Sequence, residues 1–197
     1  AHEWGYIHRS ADDTYLDIAI RQANIGDFQA ALATARRISI SIERLDAYLL
    51  IADKAAISRD AKTVASSKKM YSDAFALAKT HKGNVEQASN VLLRIAHAQI
   101  DAKHNKDALI TLRHLRPILL KSEFDNWSDR VSDMAGGFVL AGDNNTAMSI
   151  VRNIEDIGHR AKAMSEVAHA IGHRGNIDAA TPLFSLAFKD TQRLAGD

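Results

Sequence analysis

MAGGFVLAGDNNTA occupies residues 134–147. Ala135 stands near its start, Gly142-Asp143 follows seven and eight positions on, and Ala147 closes it twelve positions on. Glycine tolerates the left-handed backbone that ends a helix, and an aspartate side chain accepts the free amides that open the next one. A turn this short between two helices makes them antiparallel neighbours. The two alanines lie on either side of it, where a short side chain lets the helices approach closely. The stretch therefore predicts a helical hairpin.

The same spacing recurs four more times. It reads Ala19, Gly26-Asp27, Ala31; then Ala52, Arg59-Asp60, Val64; then Ala96, Lys103-His104, Ala108; and finally Ala168, Gly175-Asn176, Ala180. The leading alanines are 33 residues apart from Ala19 to Ala52, 44 from Ala52 to Ala96, 39 from Ala96 to Ala135 and 33 from Ala135 to Ala168. Mostly apolar residues surround each at helical offsets, with a glutamine at the last position of two copies: Tyr15, Ile18 and Gln22; Tyr48, Ile51 and Ala55; Leu92, Ile95 and Gln99; Val131, Met134 and Phe138; Met164, Val167 and Ile171. Offsets of three, four and seven place one buried stripe on each helix. The second helices repeat the habit at Ala31, Ala35 and Ile38, at Ala108, Leu112 and Leu115, at Ala147, Val151 and Ile154, and at Ala180, Phe184 and Ala187.

On these residues the chain resembles the tetratricopeptide (TPR) family, whose units run to about 34 residues. The resemblance covers roughly residues 12–195 and rests on the small residue midway along the first helix, the Gly-Asp or Gly-Asn turn and the alanine of the second helix. It departs at the family's large aromatic, met here by Tyr15 and Tyr48 but replaced by Leu92, Val131 and Met164, and at the terminal proline absent from most copies. It implies an all-α, right-handed α-solenoid of about five antiparallel helix–turn–helix repeats, one domain over 12–195. Residues 1–11 carry no repeat and read as an N-terminal arm or cap using Trp4 and Tyr6. The longer second interval predicts a second helix from Asp60 to near Thr80. Lys82-Gly83-Asn84 reads as a turn. Pro117 is expected to end or kink its helix, and Pro182 either to kink the last one or to follow a restart capped by Thr181.

Composition agrees and excludes several classes. Of the chain's residues, 46% are hydrophobic and 25% charged, with 2 Pro and 10 Gly, so few breaks interrupt its elements. There is no cysteine, which removes disulfides, thiolate catalysis and cysteine-ligated zinc. A net charge of +1 supplies no global attraction to nucleic acid. No apolar run approaches the ~20 residues of a spanning helix. The chain opens Ala1-His2-Glu3-Trp4, which leader removal or a cut boundary would leave alike, so cytoplasmic and periplasmic homes stand equally.

The resemblance further implies a concave face lined by the first helices. Its positions here are Asp13, Leu16, Ile20 and Asn24; Asp46, Leu49 and Asp53; Asn90, Leu93, His97 and Asp101; Asp129, Ser132 and Gly136; Lys162, Ser165, His169 and His173. That set is acidic with apolar anchors, which suits a partner's peptide or helix bearing basic residues. The family's carboxylate clamp finds only Lys162 and Asn90, so an acidic tail is not the expected ligand. The leading expectation is a non-enzymatic protein–protein interaction scaffold needing no cofactor. The bland alternative is that the aspartates are solvated helix-face charges.

Two other classes compete. His169 and His173 are four apart on one helix, with Glu166 three before His169, and would make a metal-binding module or metal-dependent enzyme if a third ligand joined. His97 and Asp101 share the same spacing. The second helices collect Lys62, Lys68, Lys69, Lys79, Lys82, Arg113 and Arg116, as a nucleic-acid binder would, but aromatics for base stacking are not interleaved, so none is expected. No phosphate loop, dinucleotide fingerprint or nucleophile elbow is present. The last helix carries Leu183, Phe184, Leu186, Phe188 and Leu194, more apolar surface than one neighbour covers, and a homodimer through that end is a further expectation.

Overall fold

The computed structural model of the chain describes residues 10–58, 60–80, 85–122 and 126–195. These hold α1 (Ala11–Asn24), α2 (Phe28–Ala35), α3 (Ser41–Ala56), α4 (Ala61–Thr80), α5 (Val85–Asp101), α6 (Asn105–Leu119), α7 (Trp127–Ala141), α8 (Asn144–Arg152), α9 (Ile157–His173) and α10 (Ile177–Ala195), and no strand. The expected arm with Trp4 and Tyr6, and the Lys82-Gly83-Asn84 turn, fall outside the described residues.

The chain divides into two compact units, Ala1–His81 and Lys82–Asp197. In the first, α1 pairs with α2 and α3 with α4, and α3 also packs on α1 and α2. In the second, α5 pairs with α6, α7 with α8 and α9 with α10. There α7 packs on both α5 and α6, and α9 on both α7 and α8. Within each unit, a later hairpin thus covers a flank that its predecessor leaves apolar, as stacked repeats require.

The turn chemistry is as the repeat predicts. Gly26, Gly142 and Gly175 have φ of +85°, +106° and +85°, the left-handed region. The next residue donates its amide to the carbonyl five back: Asp27 to Gln22 at 2.9 Å, Asp143 to Phe138 at 2.8 Å and Asn176 to Ile171 at 3.3 Å. Its side chain then accepts an amide of the following helix, from Ala30, Thr146 and Ala179, each at 3.1 Å. The third repeat keeps the backbone without the glycine. Lys103 takes φ 63°, and His104 donates to Gln99 at 2.7 Å but gives no side-chain cap.

The small residues occupy the tightest places. Ala19, Ala52, Ala96, Ala135 and Ala168 are all fully buried, as are Ala31, Ala108 and Ala147. Val64, the one branched residue in that set, is half-buried. Three residues beyond these alanines, the helices of a hairpin meet through a matched pair. Thr34 donates to the Gln22 amide oxygen at 2.8 Å, and Thr111 to that of Gln99 at 2.8 Å. In the fourth repeat the same positions are apolar, with Phe138 and Ile150 both buried.

Helix lengths follow the longer intervals, with α4 reaching Thr80. Neither proline interrupts its helix. Pro117 sits in the last turn of α6, which continues to Leu119, because so near the end only the Arg113 carbonyl loses its amide donor. Pro182 lies inside a continuous α10, and Thr181 does not restart the helix: its hydroxyl bonds the Ile177 carbonyl at 3.0 Å. In the first unit, buried Asp12 ties α1 to the entry of α3. It accepts the Ser39 amide at 3.0 Å, the Ser39 hydroxyl at 2.5 Å and the Ile40 amide at 3.1 Å. The Ser39 hydroxyl, above all, holds its carboxyl below the usual range.

Candidate binding site

In the Lys82–Asp197 unit the first helices α5, α7 and α9 lie side by side, α7 in the middle. A cavity of about 290 Å³ opens over them. α5 contributes His97 and Asp101, α7 contributes Asp133, Gly136, Gly137 and Leu140, and α9 contributes Glu166, His169, Ala170 and His173. Counted from the leading alanine of each repeat, these residues fall two before, one or two after and five after. His97, Gly136 and His169 share one position, so the glycine stands between two imidazoles in the repeat register.

Two adjacent glycines in mid-helix weaken α7 by about 1 kcal/mol each relative to alanine. Packing accounts for one of them. A Cβ on Gly137 would meet the Leu112 side chain at 3.3 Å, and Leu112 is fully buried. A Cβ on Gly136 would meet only the Glu166 carbonyl oxygen, at an ordinary 3.9 Å. Gly136 therefore leaves the cavity floor open without being demanded by a neighbouring side chain.

Asp101, Asp133 and Glu166 form no ion pair among the described residues. Asp133 and Glu166 are felt by Lys162, whose ammonium is bonded to Asp129. That bond is the main reason the Lys162 pKa is raised, with smaller contributions from Asp133 and Glu166, and it is also the main reason the Asp129 carboxyl is lowered. Asp129 and Lys162 occupy the same position in successive repeats and pin α7 to α9.

The sequence-predicted positions separate into distinct groups. His97, Asp101, Gly136, His169 and His173 line the cavity. Asn90 is half-buried, and Ser165 faces another cavity, between α9 and α10, which Lys162 also borders. Leu93 and Ser132 are buried and offer no contact surface. The position three before the alanine thus turns into the stack, and the position two before it, Asp133 and Glu166, faces outward instead. In the first unit, Asp13 is exposed, Leu16, Ile20 and Asp46 are half-buried, and Leu49 is buried. Asp53 accepts the Tyr71 hydroxyl at 2.7 Å, a hairpin contact.

The metal reading finds no ligand set. Among the described residues no three His, Asp or Glu side chains are placed to hold an ion, and the His169 and His173 rings stand 6.4 Å apart, tilted by 48°. Of the basic residues on second helices, Lys69 pairs with Asp73 at 3.1 Å, Arg113 with Asp143 at 3.2 Å, and Lys79 lies 5.4 Å from the Phe75 ring. Lys82 lies outside the described residues. No described helix is long and apolar enough to cross a membrane.

No family model matches the chain, and no curated protein does. Solved structures do. A point variant of a Podosopora anserina protein of nearly identical TPR-like repeats, described as a kinesin light chain, is 14% identical, with 96% of this chain and 100% of that one covered and a TM-score of 0.52. Another structure of the Podosopora anserina protein gives 16% identity over 92% and 95% of the two chains at TM-score 0.49. MamA MSR-1 gives 13% over 92% and 97% at 0.44. With its stacked hairpins, Gly-Asp turns and buried alanines, the chain has a divergent TPR-like helical repeat fold.

Proposed function

We propose that this chain is a non-enzymatic protein-interaction scaffold, and that its Lys82–Asp197 unit receives a segment of a partner polypeptide along the face shared by α5, α7 and α9. The observation that carries the reading is the cavity over Gly136, about 290 Å³, with its floor kept clear at a cost to α7. Small-molecule and cofactor sites begin at about 300 Å³. A recess at that lower limit, on an open helical face, suits one side chain of a longer ligand.

A display library of unstructured peptides selected against the full chain tests it. Selected peptides should lose about tenfold or more in affinity on Gly136→Leu, which fills the floor, and on Leu140→Lys, which places a cation on the rim. Lys106→Glu on the exposed side of α6 should leave binding unchanged. Selected peptides that bind both face variants as tightly as wild type would end the reading, as would a library that yields none.

A second surface is favoured by a separate observation. Phe184, Leu186, Phe188 and Leu194 on α10 are 43%, 48%, 63% and 50% exposed. Three of them border a cavity of about 640 Å³ beside Gly158, Ala161 and Ser165 of α9. At the position matching Phe184, Val151 of α8 is fully buried, and α9 packs on α8. A second copy of this chain covering α10 would bury what α9 buries one repeat earlier. Light scattering across a concentration series tests it: a dimer that Phe184→Asp with Phe188→Asp dissociates is expected, and a wild-type monomer throughout rejects it.

A further inference from the structure

We propose that the cavity over Gly136 is a receptor for a single organic cation, the arginine or lysine side chain of a bound segment. The inference rests on the partner-binding reading above and adds the chemistry of what enters.

The groups facing the cavity are His97 and Asp101 from α5, Asp133 from α7, and Glu166, His169 and His173 from α9. The recess is lined by three carboxylates, and no lysine or arginine borders it. Lys162, which senses Asp133 and Glu166, is engaged by Asp129. Three like charges around one recess repel, and a ligand cation relieves that repulsion. The carboxylates are nevertheless too dispersed for a metal, since no three ligands converge among the described residues. A guanidinium spreads five donors over a planar fork and an ammonium carries three on a long stem, so either reaches acceptors that an ion the size of zinc cannot bridge. The missing Cβ at Gly136 provides the depth. No neighbouring side chain explains that glycine, whereas a ligand pressed against the floor does.

The test is an amide chemical-shift titration of the full chain with N-acetyl-L-argininamide, using N-acetyl-L-citrullinamide as its uncharged isostere, at low salt. At about pH 8 the arginine probe should shift Gly136, Gly137 and Ala170 saturably and bind about tenfold tighter than citrulline. Asp133→Asn with Glu166→Gln should weaken it about fivefold or more. Equal affinity for the two probes, or shifts away from this face, overturns the proposal. If the arginine probe fails while displayed peptides still depend on Gly136 and Leu140, only this inference falls. If the probe binds and no peptide does, the partner reading falls instead.

Discussion

Alanine substitution at two adjacent residues, Gly136 and Gly137, should move stability in opposite directions. Both sit in the interior of α7, and each substitution gains about 1 kcal/mol of helix propensity. At Gly136 the new methyl meets nothing closer than 3.9 Å, so the gain is retained. At Gly137 it stands 3.3 Å from Cδ2 and 3.5 Å from Cδ1 of Leu112. Leu112 is fully buried on α6 and has little room to retreat. Overpacking of this kind costs about 1–3 kcal/mol, which cancels or exceeds the propensity gain. Gly136→Ala should therefore stabilise by about 1 kcal/mol, a rise in Tm of roughly 2–4 °C for a chain of this size. Gly137→Ala should range from neutral to about 2 kcal/mol destabilising. Urea unfolding followed by circular dichroism, read at unchanged m, measures both. If Gly136→Ala destabilises, the glycine is required by packing, and its role as a cavity floor kept open for a ligand is wrong.

Other consequences can be measured on the same instrument. Thr111→Val removes the donor to the buried Gln99 oxygen and should cost about 1–2 kcal/mol, while adding Gln99→Leu should recover most of it. A double-mutant cycle without coupling would show that the clasp is incidental. Lys103→Gly should stabilise by about 0.5–1 kcal/mol, because Lys103 occupies the left-handed backbone that glycine fills in three other repeats; calorimetry showing a fall would contradict the turn assignment. Asp12 has a folded-state pKa below its unfolded one, so its contribution is full above about pH 3.9 and is lost as pH falls through the folded value. Asp12→Ala should lower Tm at neutral pH and shrink the further drop between about pH 5 and pH 3; an unchanged acid dependence would refute the linkage.

The five copies of one spacing settle a good deal without coordinates. They place each turn because Gly-Asp and Gly-Asn are read by local rules: glycine for positive φ, aspartate or asparagine for the free amides. They also pick out the buried alanines, since a small residue at a fixed helical phase reports a close approach. The extra residues after Asp60 predict a longer helix for the same reason, and α4 has that length.

The face that each helix turns outward is only partly legible. Successive residues on a helix differ by about 100°, so a small rotation exchanges one column of side chains for the next. That is why Leu93 and Ser132 are expected in a groove and lie in the core, while Asp133 and Glu166 hold the rim. Rotation is decided where α5, α7 and α9 pack on one another and on α6, α8 and α10, by side chains far apart in the chain. The same holds for Asp53 and Tyr71, and for Asp129 and Lys162, pairs joined across hairpins. Local chemistry in the sequence determined where the helices start, stop and reverse. The tertiary structure alone decided which charges share a cavity, because helix azimuth is a property of the packed stack.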